Sequence, residues 1–294
     1  MILTVTANPM VEHFFRVPGF QPGGAWRPEG KAKVVATGKP LNVARALTSL
    51  GAKVTAVCAV GGATGREIEE LVEREGIHAR MVPIREESRR GFTIYDEQGQ
   101  DTTVYGPRVR LRDAEVDAIV ATVRCLLPAE LIVLGGSCSR PELYGRLAHL
   151  GIPIVVDADG EGLECALAGD VFLAKPNMRE VAETLGALDG QRALTELSRR
   201  KARNAVVTDG GGEAWFRWQG KIFRVMPPKV DVVHTIGCGD ALCAGLIHAS
   251  SRPAEEAVAF AMACGAQSAM SDGVGELDER ACEALARQVK VVQV

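Results

Sequence analysis

The sequence predicts an α/β protein, a doubly wound and mostly parallel sheet carrying a small β lid. Three observations predict it. Helical patterns and short apolar runs alternate along most of the 294 residues, the pattern of strands joined by crossover helices. Runs such as Leu131-Ile132-Val133-Leu134 and Pro153-Ile154-Val155-Val156-Asp157 are apolar on successive residues, as in strands covered by helices on both faces. Hydrophobic residues make up 47% and aromatics only 5%, an aliphatic supply that suits layered packing better than an aromatic-rich sandwich.

Residues 2–7 read as a first buried strand. Residues 14–36 are rich in Gly, Pro and Arg, lack a helical period, and read as an irregular or β-rich excursion. Apolar residues at helical spacing over 41–50 stop at Gly51, a residue suited to the position after a helix end. A strand follows over 53–60. Thr64-Gly65-Arg66-Glu67 reads as a capping box opening a helix over 65–75, which ends at Gly76. Short strands are expected over 79–84, 91–96 and 101–105, with residues 96–100 as the turn between the last two. After Pro107, helices over 113–126, 141–149 and 161–168 alternate with strands over 131–134, 153–157 and 171–174. Helices over 178–186 and 190–202 precede a strand over 204–208. Strands over 213–218 and 221–226 form a hairpin around Gln219-Gly220, and helices over 239–250 and 254–271 close the body. There is no repeat or linker, so residues 1–294 are expected to form one domain, with lid segments 10–36 and 88–106 inserted in it.

The net charge of −3 gives no general attraction to nucleic acid or to an anionic membrane, so an anionic substrate must be caught by local cations. No apolar stretch approaches the roughly 18 residues of a membrane span. Met1-Ile2-Leu3-Thr4-Val5 already reads as a strand rather than a signal peptide, and a cytoplasmic protein is expected. Eight cysteines stand at 58, 125, 138, 165, 238, 243, 264 and 282 without a Cys-x-x-Cys pair. They read as reduced core thiols rather than as disulfides or a zinc site.

The segment most suggestive of chemistry is Gly237-Cys238-Gly239-Asp240, followed by an apolar helical run. Two glycines around one small residue allow a tight turn with exposed N–H groups. An anion at the following helix start meets free donors and the positive end of the helix dipole. Asp240 stands beside that place as a candidate general base, which together suggests phosphoryl transfer to a hydroxyl. A turn followed by an acidic helix start is the purely structural alternative. Cys238 reads as a small packing residue, since no nearby motif supplies a base for a nucleophile, and His234 as a loop histidine.

Further segments carry a resemblance: Leu3-Thr4-Val5-Thr6-Ala7-Asn8-Pro9, Gly38-Lys39-Pro40-Leu41-Asn42-Val43-Ala44-Arg45, Ser88-Arg89, Gly136-Ser137, Lys175-Pro176-Asn177-Met178-Arg179-Glu180, Thr208-Asp209-Gly210 and Ile236 to Asp240. In this order they resemble the ribokinase-like carbohydrate kinases of the PfkB type, and most closely the branch of 1-phosphofructokinases and tagatose-6-phosphate kinases. The resemblance spans nearly the whole chain. It implies that Asp240 is the base and that the amides of Gly237, Cys238 and Gly239 hold the transferring group. It implies that Asn8, Glu12, Gly38, Lys39, Asn42, Arg89 and Ser137 face the sugar. Lys175, Asn177, Glu180, Thr208 and Gly210 would face ATP, with Glu180 reaching Mg²⁺ through water. Taken alone, Asn177-x-x-Glu180 is also a good capping box, Lys39 a solvated lysine, and the Arg89-Arg90 pair an edge that discourages strand pairing.

The chain departs from the branch pattern at several places. Thr37 and Pro40 replace glycines, Glu12 stands for Asp, Gly91 for Asn, Thr103 and Tyr105 for Glu and Asn, and Glu213 for Gly. Most lie on the sugar side, so they bear on substrate identity more than on reaction type. The expected activity is ATP- and Mg²⁺-dependent phosphorylation of a phosphorylated ketohexose. A kinase for an unphosphorylated sugar or nucleoside, and an inactive sugar-phosphate-binding protein, stand as alternatives. A homodimer formed through exposed lid edges is the expected assembly.

Overall fold

A computed structural model describes residues 1–98, 100–186 and 189–294. In chain order the elements are β1 (Ile2–Thr6), β2 (Met10–Arg16), β3 (Lys33–Thr37), α1 (Lys39–Ser49), β4 (Val54–Val60), α2 (Gly62–Arg74), β5 (Ala79–Pro83), β6 (Arg89–Tyr95) and β7 (Asp101–Tyr105). There follow α3 (Asp113–Cys125), β8 (Leu131–Gly135), α4 (Glu142–Ala148), β9 (Ile154–Asp157), α5 (Gly160–Leu167), β10 (Val171–Ala174), α6 (Met178–Leu185), α7 (Gly190–Arg199) and β11 (Asn204–Val207). The chain closes with β12 (Ala214–Trp218), β13 (Lys221–Met226), α8 (Cys238–His248), α9 (Ala254–Ala269), α10 (Glu279–Ala286) and β14 (Lys290–Gln293).

Among the described residues, ten strands form one sheet in the order β14-β13-β12-β11-β10-β9-β8-β1-β4-β5. It is parallel from β11 through β5 and antiparallel at the β12–β14 end. The apolar runs of β1, β4, β8 and β9 are buried on both faces because helices cover each side. Leu41, Leu47, Leu242 and Phe260 pack on one face, and Ile119, Val123, Leu143 and Leu197 on the other. The chain adds β4 and β5 on one side of β1, then returns to add β8 on the other. Such a reversal opens a crevice at the carboxyl ends of the strands. A second sheet, β3-β2-β6-β7, draws its strands from 10–37 and 89–105, so the two segments expected in the lid pair with each other.

Several elements differ from expectation. Strand β2 begins at Met10, ahead of the excursion read over 14–36 and at the start of the lid segment 10–36; its alternation was hidden because Glu12 is one of the residues it turns inward. Helix α2 starts at Gly62 rather than 65, and the expected Thr64–Glu67 capping box does not form. Glu87, distant in sequence, caps the helix instead by accepting from the N–H groups of Ala63 (3.2 Å) and Thr64 (2.6 Å). Helix α10 and strand β14 add a C-terminal cover that had not been expected. The turn expected over 96–100 includes Gly99, outside the described residues; beside it, Asp96 Oδ1 accepts from the N–H groups of Gln98 and Gln100. Among the described residues no helix is long and apolar enough to cross a membrane.

Candidate active site

The last crossover delivers the chain to α8 through Gly237, which sits at φ +78° as the residue before the helix. A side chain there would lie in the unfavourable left-handed region, and its Cβ would come within 2.8 Å of Val274 Cγ1. The first-turn amides of a helix have no intrahelical acceptor. At the start of α8 the Cys238 N–H turns back to Thr235 O at 3.4 Å, and those of Gly239 and Asp240 have no backbone acceptor among the described residues and face an anion freely. They open into a cleft of about 670 Å³ at the carboxyl ends of the central strands, with the second sheet forming its other wall.

Of the residues nominated from sequence, Asn8, Glu12, Gly38, Lys39, Asn42, Arg89, Ser137, Lys175, Asn177, Thr208, Gly210, Gly237, Gly239 and Asp240 all line this cleft. Cys238 and Glu180 stand just behind the lining. Burial pushes the Cys238 thiol up to about 12, and its Sγ contacts the His234 carbonyl at 3.8 Å. That thiol is no nucleophile at neutral pH.

Asp240, in the first turn of α8, is 6% exposed. Its Oδ2 accepts from Asn42 Nδ2 at 2.8 Å. Burial and the nearby charge of Asp157 push its carboxyl up to about 7, against the opposing pull of Asn42, Lys175 and Lys39. A carboxyl that titrates near neutrality suits proton acceptance. Asn8 donates to Ser137 Oγ at 3.0 Å and keeps a buried Oδ1 without a partner.

The floor of the cleft holds a residue that sequence reading missed. Asp157, at the end of β9, is fully enclosed between two lysines, 2.7 Å from Lys39 Nζ and 2.8 Å from Lys175 Nζ. Burial alone would raise it, but Lys175 and Lys39 hold it below the usual carboxylate range. Its signal was its position, the last residue of a parallel strand, where such folds place functional groups. Lys39 also meets Glu180 Oε1 at 2.8 Å. Despite burial, Asp157 and Glu180 hold it above its ordinary value. Lys39 is therefore committed to two carboxylates rather than solvated. The Asn177–Glu180 capping box does form: Glu180 N–H donates to Asn177 Oδ1 (2.9 Å), and Asn177 N–H to Glu180 Oε2 (3.0 Å). An isolated bridge pairs Asn177 with Thr208 and brings the Thr208–Gly210 loop beside it.

On the lid side, three departures from the branch pattern turn out to be neighbours. Glu12 is 1% exposed and accepts from Thr37 Oγ1 (2.8 Å) and Thr93 Oγ1 (2.6 Å). Thr93 in turn shares a hydrogen bond with Thr103 at 2.9 Å. Burial pushes the Glu12 carboxyl above its usual range. Tyr105 carries the Arg89 guanidinium 5.4 Å over its ring. Arg89 is half-buried; it reaches Asn8 O at 3.4 Å, and its Nε is buried without a partner. Among the described residues it forms no salt bridge, whereas Arg90 beside it is paired with Glu67 at 2.6 Å. Pro40 is accommodated in the first turn of α1, where its missing N–H costs little. Glu213 pairs with Arg224 at 2.7 Å on the surface.

Comparison with known proteins agrees with this geometry. The pfkB family carbohydrate kinase model matches residues 10–280. The chain is 28% identical to the 1-phosphofructokinase of Vibrio cholerae, covering 99% of this chain and 96% of that one. It is also 28% identical to the tagatose-6-phosphate kinase of Staphylococcus epidermidis, covering all of both chains. The solved phosphofructokinase-2 of Escherichia coli superposes with a TM-score of 0.86 at 25% identity, covering 97% of this chain and 98% of that one. The chain belongs to the PfkB family of carbohydrate kinases and is a phosphotransferase.

Proposed function

We propose that this kinase transfers the γ-phosphoryl group of ATP to a hydroxyl of a phosphorylated ketohexose. Membership of the family supports sugar kinase activity and ATP as donor. The phosphorylated substrate is supported by Arg89. It is a half-buried cation, set over the Tyr105 ring, with an unpartnered Nε and no carboxylate within salt-bridge distance among the described residues. Guanidinium groups bind phosphate through paired N–H donors, and a desolvated guanidinium whose nearest counter-charge, Glu12, makes no ion pair with it is stabilised by an incoming dianion. Lys39, the other cation considered for this role, is already balanced by Asp157 and Glu180.

In this reading Asp240 accepts the proton of the attacking hydroxyl as the new O–P bond forms and the bond to the leaving ADP oxygen breaks. The amides of Gly237 and Gly239 stabilise charge on the equatorial oxygens; that of Cys238, expected to join them, is turned to Thr235 O. Asn8, Glu12, Gly38, Asn42 and Ser137 orient the sugar, while Lys175, Asn177, Thr208 and Gly210 face the nucleotide. Among the described residues no group of three or more His, Cys, Asp or Glu side chains is arranged to hold a metal ion. Glu180 is the residue that would reach Mg²⁺ through water, and an ion carried on the ATP phosphates would neutralise their charge. Residues 1–294 act as one domain, with the second sheet as lid. Phe92 and Val104, 44% and 62% exposed on that sheet, support pairing of two copies through it.

The test is ADP release over a panel of fructose 1-phosphate, fructose 6-phosphate, tagatose 6-phosphate, fructose, ribose and a nucleoside. Turnover with at least one sugar phosphate and none with the unphosphorylated compounds is expected. Turnover with ribose alone would replace the substrate class. Tight sugar-phosphate binding without ADP would identify a binding protein.

A further inference from the structure

Asp240 is held from behind by a line of buried polar groups that begins with Asn42 and ends at the protein surface. Asn42 Nδ2 donates to Asp240 Oδ2 (2.8 Å), and Asn42 Oδ1 accepts from Arg45 Nη1 (3.0 Å). Residues three apart on a helix share a face, so α1 presents both side chains to the base. Arg45 is 4% exposed. Its Nε donates to Glu75 Oε2 (2.7 Å), its Nη2 to Ala36 O (2.6 Å), and its Nη1 also to Val274 O (3.2 Å). Those three acceptors belong to β3, to the segment after α2 and to the segment between α9 and α10.

An asparagine amide can turn over and exchange its donor with its acceptor. Turned over, Asn42 would aim an oxygen at the Asp240 carboxylate and an NH₂ at a guanidinium. Arginine has only donors, so the second contact would be donor against donor. Arg45 thereby permits one orientation of Asn42, the one that gives Asp240 a hydrogen bond. Three further acceptors pin the guanidinium, and Glu75 balances its buried charge.

We infer that Arg45 is a positioning residue for the transfer reaction: it locks the Asn42 amide, and the locked amide holds Asp240 as an ionised acceptor aimed into the cleft. The inference rests on Asp240 being the base. The other groups facing Asp240 are Asp157 at the end of β9, Lys175 beyond β10 and Lys39 on α1, with the Tyr105 hydroxyl and the Cys238 and Cys243 thiols also near it, and none of them hydrogen-bonds Arg45 in the structure.

A double-mutant cycle tests it. ADP release is measured for the parent, Arg45→Met, Asn42→Ala and the pair, with thermal unfolding to establish that each is folded. If Arg45 acts through Asn42, Arg45→Met lowers kcat by about tenfold or more in the parent, but by no more than about twofold in Asn42→Ala. The acid limb of the kcat profile in Arg45→Met also moves up by about one pH unit. Independent losses that multiply, or an unmoved acid limb, would overturn the inference. Should Arg45→Met fail to fold, Glu75→Gln loosens the guanidinium without removing it. A smaller loss of kcat that vanishes in Asn42→Ala then supports the inference, and no loss or a multiplying loss overturns it. Asp240→Asn is run alongside. Near-parental turnover there would remove the base assignment itself, whereas an inactive Asp240→Asn with a multiplying Arg45 and Asn42 cycle would remove only the positioning role.

Discussion

On the floor of the cleft, Lys39 and Lys175 share Asp157, and Lys39 also takes Glu180. On the lid, Arg89 has no carboxylate partner among the described residues, and Glu12 is sunk among threonine hydroxyls. The floor is balanced within itself and seated on a sheet packed from both faces, so its geometry is set before any ligand arrives. The lid keeps one cation unbalanced and carries most of the departures from the branch pattern. Under the proposed function the contrast separates two jobs, transfer chemistry on the floor and choice of substrate on the lid.

The largest effect expected is on the floor. Asp240→Asn should lower kcat by about 10²- to 10⁴-fold, with sugar-phosphate binding measured by calorimetry changed only a few-fold. A loss under about tenfold would reduce Asp240 to a favourable acid in the first turn of α8. On the lid, Arg89→Met should raise KM for the sugar phosphate by about 10- to 100-fold, the worth of a charge-assisted hydrogen bond or two. Its kcat should move little. An unchanged KM would shift phosphate recognition to the floor and erase the division.

Glu12 gives a smaller effect with a definite sign. Burial raises its folded pKa above 4.5, so the fold favours the protonated form. That contribution is complete below the unfolded value and is lost as pH rises through the folded one. Glu12→Gln removes the dependence while leaving groups that the threonine hydroxyls can bond. Its melting temperature relative to the parent should therefore climb from about pH 5 to about pH 8, by roughly 2 °C. A gap that narrows as pH rises would show Glu12 to be stabilised as a carboxylate. Glu213→Ala, which removes a surface pair with Arg224, should leave the melting temperature indistinguishable from the parent's and ADP release as it was.

Much of this was legible in the sequence, for physical reasons. Doubly covered strands must be apolar throughout, so β8 and β9 declared themselves. The Gly237–Asp240 turn was legible because its backbone needs glycine at φ +78°. Asn177 and Glu180 cap their helix by a purely local pattern. What escaped depended on distant partners. The cap of α2 comes from Glu87, 24 and 23 residues on from Ala63 and Thr64. Asp157 looked like a strand end because the lysines that engage it lie 118 and 18 residues away. Lys39 looked like a free phosphate ligand for the same reason. Strand β2 was obscured by Glu12, whose burial makes sense only once Thr37 and Thr93 are seen beside it.

The most direct measurement is the dependence of kcat/KM for the sugar phosphate on pH, from about pH 5 to about pH 9, which reports the ionisation of the free enzyme's base. With Asp240 raised to about 7 by burial and by Asp157, the rate should fall by about tenfold per unit below that point, above the substrate phosphate's own ionisation near about 6. A profile that stays level down to about pH 6, bending only where the substrate titrates, would contradict proton transfer to Asp240.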